Sequence, residues 1–589
     1  MLRKRLVCHQ SLTRLSHLAL IAPVAVLCFL AGTGRSTLTA SSSRFEIYFP
    51  SSVRSEPVDG RLLLMISDNA EKEPRFQIGW GLNTQQIFGA DVEGLAPGQP
   101  AAIEPGTLGY PRESLADIPS GDYYVQALLN VYETFHRADG NVVKLPMDDR
   151  EGQKWNRSPG NLYSEPRKVH IDAARADVLR IELTQVIPDI EPPRDTRYIK
   201  HIKIQSRLLS EFWGRPMELG SVVLLPEGFD EHPEARYPLV VYQGHFHESL
   251  YTPVGFRDEP PGPELTGYDR TYAEYSHKFY QDWTSGRLPR VLIMSIQHAN
   301  PYYDDSYAVN SANVGPYGDA IVKELIPYVE EKFRALGEPW ARVLYGGSTG
   351  GWETLAQQVF YPDFFNGAWC NCPDPIDFRA FMLANLYEDE NAYYPNSEWK
   401  KIPRPGRREP NGEVTSTMED MNHFELVLGT RGRSTQQFDI WQAVFSPVGD
   451  DGYPRPIYDK QTGVIDRDVA EYWKENYDLS YIIRRDWKTL GPKLTGKLHI
   501  KVGDMDNYYL DGAVRLLEDF LESTKLPGNG PYYAGTVEYG DGHPHCYSGD
   551  PAQPTRISRL TINQRFLPEM VDWMLKTAPP GADVKSWRY

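Results

Sequence analysis

Residues 345–351 read YGGSTGG and carry the strongest indication of fold class, because they fit the pattern G-x-S-x-G. Apolar residues 343–345 precede the pattern and a helical run begins at Trp352, which is the strand–turn–helix context that the pattern requires. Glycines beside the serine let a strand and a helix meet in a tight turn that exposes the hydroxyl. The helix start would add N–H groups and a positive dipole end. The same letters fit a plain glycine turn, but the flanking elements favour Ser348 as a nucleophile.

Short apolar strands alternate with helical periods on both sides of this stretch, over about residues 198–577. The strand-like runs are 221–225 (SVVLL), 238–242 (PLVVY), 290–296 (RVLIMSI) and 497–502 (KLHIKV). This alternation predicts an α/β fold with a mostly parallel sheet and helices on both faces. Residues 374–490 interrupt it with charged stretches, Pro-rich turns and aromatic side chains. We interpret them as a cap over the sheet edge, with a surface excursion as the alternative.

The N-terminal part of the chain differs in pattern from the rest. Residues 1–40 run from basic to apolar to small, which predicts a signal peptide and a secreted or periplasmic location; a retained anchor is the alternative. The apolar run is shorter than a membrane-spanning helix needs, so we expect no stable membrane anchor. Residues 41–190 alternate in period two, as in 123–132 (YYVQALLNVY), and predict a β-sandwich-like accessory domain. The Pro-rich residues 188–197 are predicted to be a linker.

Net charge excludes one class of partner. The formal charge is −17, and the first forty residues hold five Lys or Arg and no Asp or Glu, so their removal leaves −22. A chain this acidic repels nucleic acid and anionic membranes. We therefore expect no nucleic-acid partner.

A serine nucleophile needs a base to take its proton and an acid to orient that base. When the serine stands in a strand–turn–helix of this kind, the acid follows it in the sequence and the histidine comes last. Residues 502–507 (VGDMDN) form a turn after a strand, and Asp506 is the preferred acid with Asp504 as the alternative. Residues 539–547 (YGDGHPHCY) follow the next strand. We favour His545 as the base over His543, which Pro544 stiffens; a pair of solvent-facing histidines is the remaining interpretation.

The backbone N–H groups of Thr349 and His245 are the predicted oxyanion hole, because the loop at 243–247 (QGHFH) follows another strand. A competing hypothesis uses imidazole and carboxylate groups as zinc ligands. Its candidates are His245, His247, His543, His545 and Asp506. Since a serine nucleophile in a formed turn needs no metal, we predict neither metal nor cofactor.

Three cysteines remain after loss of the predicted signal: Cys370, Cys372 and Cys546. Their odd number and the lack of a C-x-x-C pair exclude a disulfide framework. Cys372 and Cys546 lie just beyond strands that should end at the same sheet edge. A disulfide between them would hold the histidine loop, and buried free thiols are the alternative.

Three segments resemble the esterase D and feruloyl-esterase-like group of α/β-hydrolases, often called putative esterases. They are 225–247 (LPEGFDEHPEARYPLVVYQGHFH), 304–333 (DDSYAVNSANVGPYGDAIVKELIPYVEEKF) and 345–367 (YGGSTGGWETLAQQVFYPDFFNG). The resemblance implies an α/β-hydrolase fold, a Ser-Asp-His triad and hydrolysis of carboxylic esters without a cofactor. We expect the substrate to be a small-molecule or glycan-linked ester. Carried onto this chain, it implies Ser348 as nucleophile, Asp506 as acid and His545 or His543 as base. The sequence departs from the family in QGHFH, where a His-Gly pair is usual, and in the length of 374–490.

The main prediction is therefore a secreted serine esterase that works through an acyl-enzyme intermediate. A secreted serine peptidase with the same triad is one alternative, although the N-terminal part shows no blade-like repeat. A non-catalytic binding protein on a hydrolase scaffold is the other. The Ser, Asp and His residues in the expected order argue against it.

Overall fold

The structure is a computed structural model that describes residues 43–146, 154–172, 175–244, 254–397 and 399–589. The predicted signal peptide, and His245 and His247, lie outside the described residues. Within the described part of the chain, no helix is both long and apolar enough to cross a membrane.

Alternating apolar residues build two sheets in the N-terminal part. Their strands are β1 (Arg44–Tyr48), β2 (Val58–Ser67), β3 (Gln86–Leu95), β4 (Ala101–Ile103), β5 (Gly109–Tyr110), β6 (Gly121–His136), β7 (Val142–Pro146), β8 (Leu162–Tyr163), β9 (Arg167–Ile171), β10 (Val178–Glu182) and β11 (Gln185–Val186). One sheet has the order β10-β1-β4, and the other has β11-β8-β6-β2-β3-β5, with β7 and β9 also paired to β6.

A mostly parallel sheet occupies the rest of the chain. The strands that follow are β12 (Ile199–Ser206), β13 (Met217–Leu224), β14 (Leu239–Gln243), β15 (Leu292–Gln297), β16 (Asn310–Ser311), β17 (Gly315–Pro316), β18 (Arg342–Gly347), β19 (Ala368–Asn371), β20 (Pro405–Arg408), β21 (Val414–Thr417), β22 (Leu498–Gly503) and β23 (Thr536–Gly540). The sheet order is β12-β13-β15-β14-β18-β19-β22-β23. β13 is antiparallel to both neighbours, and every pair from β15 to β23 is parallel. The predicted mostly parallel sheet is confirmed.

Helices connect and cover these strands. They are α1 (Arg207–Trp213), α2 (Gly267–Thr284), α3 (Tyr317–Ala320), α4 (Ile326–Lys332), α5 (Thr349–Phe360), α6 (Met418–Leu428), α7 (Gln437–Phe445), α8 (Arg467–Tyr477), α9 (Leu479–Leu494), α10 (Asp511–Ser523), α11 (Thr555–Ser558) and α12 (Ile562–Thr577). Helix α5 packs on β14, β18 and β19, α10 packs on β22, and α2 contacts α12. Because α5 lies against the sheet, its residues 349–359 are all buried.

Strand β2 is buried on both faces, which explains why its centre reads as a continuous apolar run. Leu62 and Leu64 face a core shared with β1 and β10 of the smaller sheet. Leu63 lies on the opposite face, in a core with Phe424 and Val427 of α6. The outer face of the larger N-terminal sheet is therefore covered by a helix from the segment 374–490.

Arg61 fixes this contact with hydrogen bonds. Its Nε and Nη2 donate to the carbonyl of Val427 at 2.9 and 2.8 Å, and Nη2 also donates to Leu426 at 3.0 Å. These carbonyls end α6 and lack partners within the helix, so the guanidinium caps it. The described residues from Ser43 to Tyr589 belong to one compact unit, and the domain limits 41–190 and 198–577 remain predictions.

Candidate active site

Three parallel strands place the predicted residues at one edge of the sheet. Ser348 directly follows β18, Asp506 lies three residues after β22 and His545 lies five residues after β23. Since β18, β19, β22 and β23 run in the same direction, their carboxyl ends meet at one edge. Ligands of open α/β sheets bind at that edge.

Ser348 has a strained backbone, with φ 60° and ψ −125°. A residue with a side chain rarely takes positive φ, and such strain is typical of functional turns. A Cβ added to Gly346 would lie 2.4 Å from the carbonyl oxygen of Gly350, and one added to Gly350 would lie 2.1 Å from that of Gln243. The glycines of the quoted stretch thus permit the close strand–helix contact that holds Ser348 in this conformation.

A continuous chain of hydrogen bonds joins Asp506, His545 and Ser348. The distance from His545 Nε2 to Ser348 Oγ is 2.9 Å, and that from His545 Nδ1 to Asp506 Oδ2 is 2.7 Å. Asp506 is fully buried, and its other oxygen accepts the backbone N–H of Tyr508 at 2.8 Å. The Tyr508 ring meets the imidazole edge-on with centroids 5.1 Å apart. These contacts fix both the carboxylate and the plane of the imidazole.

The protonation of His545 depends on its neighbours. Burial opposes a charge on the ring, but the sulfurs of Cys372 and Cys546 and the Asp506 carboxylate favour it, so the pKa of His545 lies well above its usual range. A base in this position accepts a proton from Ser348 in its neutral form, and that form is favoured by raising the pH.

The alternative acid and base hold the loops instead of approaching Ser348. Asp504 Oδ1 accepts the backbone N–H of Gly542 at 2.7 Å, and His543 Nδ1 lies 3.0 Å from Thr555 Oγ1. The first contact joins the turns that follow β22 and β23, and the second joins the turn after β23 to the start of α11. The sequence left these two choices open because residues two apart in a turn need not face the same way.

A second carboxylate, which the sequence analysis missed, lies beside the serine. Asp374 Oδ1 is 3.5 Å from Ser348 Oγ, and Oδ2 accepts hydrogen bonds from Thr349 Oγ1 at 2.9 Å and from Tyr307 Oη at 2.6 Å. Trp441 Nε1 in turn donates to Tyr307 Oη at 2.5 Å. Asp374 is the first charged residue after β19, and that position at the active edge was the available signal.

The structure describes one of the two residues that were predicted to form the oxyanion hole. Thr349 is the first residue of α5 and is fully buried directly beside Ser348. His245 lies outside the described residues, so its N–H stays a prediction. Gly244, the last described residue before it, lines the cavity at Ser348.

A cavity of about 440 Å³ opens over the serine and the imidazole. Its walls come from the N-terminal part, from the segment 374–490 and from the strand ends. Large apolar side chains that line it are Trp80, Met382, Phe424, Phe438, Trp441 and Tyr508. Side chains of the segment 374–490 thus form part of the cavity wall, and the walls suit an apolar or aromatic group.

Cys370, Cys372 and Cys546, the cysteines among the described residues, are free thiols, which was the alternative to a disulfide. Among the described residues, one group of metal-ligand types lies close together: the ligand atoms of Cys372, His545 and Cys546 are within 4.8 Å of one another. The described members of the hypothetical zinc set do not form such a group, since His543 contacts Thr555 instead. Because the imidazole of His545 already joins Asp506 and Ser348, we assign no metal to the site.

Comparison with known proteins finds similarity to esterases and related serine hydrolases. Residues 212–424 match the family model described as putative esterase. A ferulic acid esterase is 14% identical, with 64% of this chain and 99% of that chain covered and a TM-score of 0.35. An S-formylglutathione hydrolase from Agrobacterium tumefaciens (11% identity, 65% and 97% covered, TM-score 0.29) and the fluorophosphonate-binding serine hydrolase FphF of Staphylococcus aureus (14%, 64% and 98%, 0.29) also match. No curated protein matches the chain. The match over residues 212–424 confirms that this chain resembles the putative esterase family of α/β-hydrolases.

Proposed function

We propose that this protein is a secreted or periplasmic serine esterase whose catalytic residues are Ser348, Asp506 and His545. The observation that carries the proposal is the unbroken chain of hydrogen bonds from the buried Asp506 carboxylate through His545 to Ser348 Oγ. The strained turn at Ser348 and the cavity above it supply the exposed nucleophile and room for a substrate. The family match over the turn is consistent with the same chemistry.

In the proposed reaction, His545 Nε2 takes the proton from Ser348 Oγ as the oxygen attacks the ester carbonyl. The Asp506 carboxylate holds Nδ1–H and stabilises the imidazolium that forms. Backbone N–H groups of Thr349 and His245 stabilise the oxyanion of the tetrahedral intermediate. The imidazolium then protonates the leaving alcohol, and a water activated by His545 hydrolyses the acyl-enzyme.

Two finer assignments belong to the same proposal. Residues 374–490 act as a cap, because Asp374, Phe424 and Trp441 of this segment line the cavity. Residues 41–190 act as a β-sandwich-like accessory domain whose outer face supports α6. A small-molecule or glycan-linked ester is the proposed substrate, and no cofactor takes part.

The test is labelling of the full chain with a fluorophosphonate probe, followed by mapping of the modified residue by mass spectrometry. We expect the label on Ser348, and we expect Ser348→Ala to lose both labelling and hydrolysis of p-nitrophenyl acetate. Ser285→Ala, an exposed serine at the end of α2, is the matched control. A label on another serine would overturn the assignment. Faster cleavage of a peptide p-nitroanilide than of the ester would instead favour the peptidase alternative.

A further inference from the structure

Two thiols lie beside the imidazole of His545, and the proposed reaction does not use them. Cys372 directly follows β19, and Cys546 is the next residue after His545. Their Sγ atoms and a ring nitrogen of His545 are within 4.8 Å of one another. Cys372 is fully buried, whereas Cys546 is half-buried and lines the cavity, so a small reagent that enters the cavity meets Cys546 first.

The backbone holds the two thiols against the same strand. The N–H of Cys372 donates to the carbonyl of Lys501 in β22 at 2.6 Å, and the N–H of Met505, just beyond β22, donates to the carbonyl of His543 at 3.1 Å. The turns that carry Cys372 and Cys546 are therefore anchored to one strand end. The two sulfurs lie within 4.8 Å of each other, and a disulfide requires them to approach to about 2.05 Å.

The surroundings of the two thiols shift their pKa values in opposite directions. A hydrogen bond from the Cys372 thiol lowers the pKa of Cys546 well below its usual range, and the charges of His545 and Arg559 add to the effect. Burial raises the pKa of Cys372. A half-buried thiolate that lines the cavity beside a second thiol is the arrangement that reacts readily with small disulfides.

We propose that Cys372 and Cys546 form a modification site, at which a small disulfide such as oxidised glutathione converts them into an intramolecular disulfide that tethers the His545 turn to the end of β19. The Cys546 thiolate attacks one sulfur of the reagent and releases one thiolate, which leaves a mixed disulfide. Cys372 then loses its proton and attacks Cys546 Sγ, releasing the second thiolate. The two cysteines lose two electrons in total, and the reagent is reduced to two thiols.

The disulfide also removes a negative charge beside the imidazole of His545. This consequence rests on the proposed role of His545 as the base. Charged and titratable groups face the imidazole or its partners from every neighbouring turn: Asp506 after β22, Cys372 after β19, Cys546 beside the ring, Asp374 near Ser348, and Arg559 near Cys546. A thiolate next to the ring favours the imidazolium, which cannot accept the serine proton. Disulfide formation removes that negative charge, and the pH at which activity is half-maximal falls by about 1–3 units.

The experiment compares the full chain after treatment with oxidised glutathione and after treatment with a phosphine reductant. Peptide mapping identifies cross-links, and fluorophosphonate labelling of Ser348 is followed across pH. We expect a Cys372–Cys546 linked peptide in the oxidised sample and a lower pH midpoint of labelling. Cys372→Ser and Cys546→Ser should form no such link and show no oxidant-dependent midpoint. Cys370→Ser, a buried thiol within β19, is the matched control and should behave as the wild type.

The possible outcomes distinguish the modification site, the effect on His545 and the proposed function. Glutathione mixed disulfides without the linked peptide, or a link through Cys370, overturn the modification site. A linked peptide with an unchanged pH midpoint overturns the effect on His545. A linked peptide in a chain that no fluorophosphonate labels in either state supports the modification site and contradicts the proposed function.

Discussion

Replacing Asp506 by asparagine separates the charge of the proposed acid from its shape. Asp506 Oδ1 accepts the backbone N–H of Tyr508 at 2.8 Å, while Oδ2 faces Nδ1 of His545 at 2.7 Å. In the variant, the amide oxygen keeps the backbone contact, so the NH₂ group faces the imidazole. Two donors cannot face each other, and the ring proton therefore moves to Nε2. The nitrogen that faces Ser348 then carries a proton and cannot accept another.

The size of the effect follows from the same contacts. A carboxylate and an imidazolium about 4 Å apart attract by about 4 kcal/mol at an effective dielectric constant of 20, which is worth about 10³-fold in rate. Asp506→Asn loses this stabilisation in the transition state and also imposes the unproductive tautomer. We expect kcat to fall by about 10⁴-fold, as for the same change in other triads. The residual activity should reach its half-maximum at a lower pH, because removal of the carboxylate lowers the pKa of His545.

The assay is steady-state hydrolysis of p-nitrophenyl acetate between pH 5 and about 10, with circular dichroism as the check on folding. Asp504→Asn is the matched control, since its carboxylate lies two residues away and accepts the N–H of Gly542. It should keep kcat within about tenfold. An Asp506→Asn enzyme within tenfold of wild type, or a larger loss in Asp504→Asn, would refute the assignment of the acid.

Four further outcomes are expected. His545→Ala should reduce kcat by about 10⁴-fold or more and His543→Ala by less than about tenfold, measured with the same ester, because one imidazole of the pair contacts Ser348. Exhaustive chelation should leave ester hydrolysis unchanged, and rescue of a chelated, inactive enzyme by Zn²⁺ would contradict this. Arg61→Ala should lower the free energy of unfolding in urea by about 3 kcal/mol, because it leaves the last carbonyls of α6 without a donor. Arg44→Ala, which removes an exposed ion pair, is the control and should leave the urea midpoint of unfolding unchanged. Burial lowers the pKa of His499 to about 4, so between about pH 6.5 and 4 the unfolded chain binds a proton that the native state does not. The melting temperature should therefore fall as the pH is lowered through this range. His499→Phe should make this fall smaller.

The turn at Ser348 could be predicted from the sequence because its cause is local. Glycines at 346 and 350 are needed wherever a strand and a helix approach closely, and a strand followed by a helix is readable from apolar spacing. The run predicted at 238–242 is the strand Leu239–Gln243, within one residue at each end, whereas the run predicted at 221–225 covers only the second half of the strand Met217–Leu224. The order of acid and base followed from the topology of such sheets.

The choice between His543 and His545 depended on a contact that the sequence does not reveal. The turn is set by the close approach of the His543 carbonyl to the end of β22, where a Cβ at Gly503 would lie 2.1 Å from it. The network of Asp374 with Tyr307 and Trp441 was missed for a similar reason, since its members come from three distant segments. Long-range packing leaves no periodic signal in one sequence.

Helix α6 shows why the substrate has to be sought with the full chain. It packs through Phe424 and Val427 on the N-terminal sheet, and Phe424, together with Met421 and Glu425, also lines the cavity. Glu425 accepts the backbone N–H groups of residues 438 and 439 at 2.8 and 3.0 Å, so α6 also positions the start of α7 and with it Phe438 in the cavity wall. The family match ends at residue 424, inside this helix. The proposed acid and base, α7 and Trp80 all lie outside the match, so the family offers no guide to the part of the cavity wall that α7 and the N-terminal sheet supply.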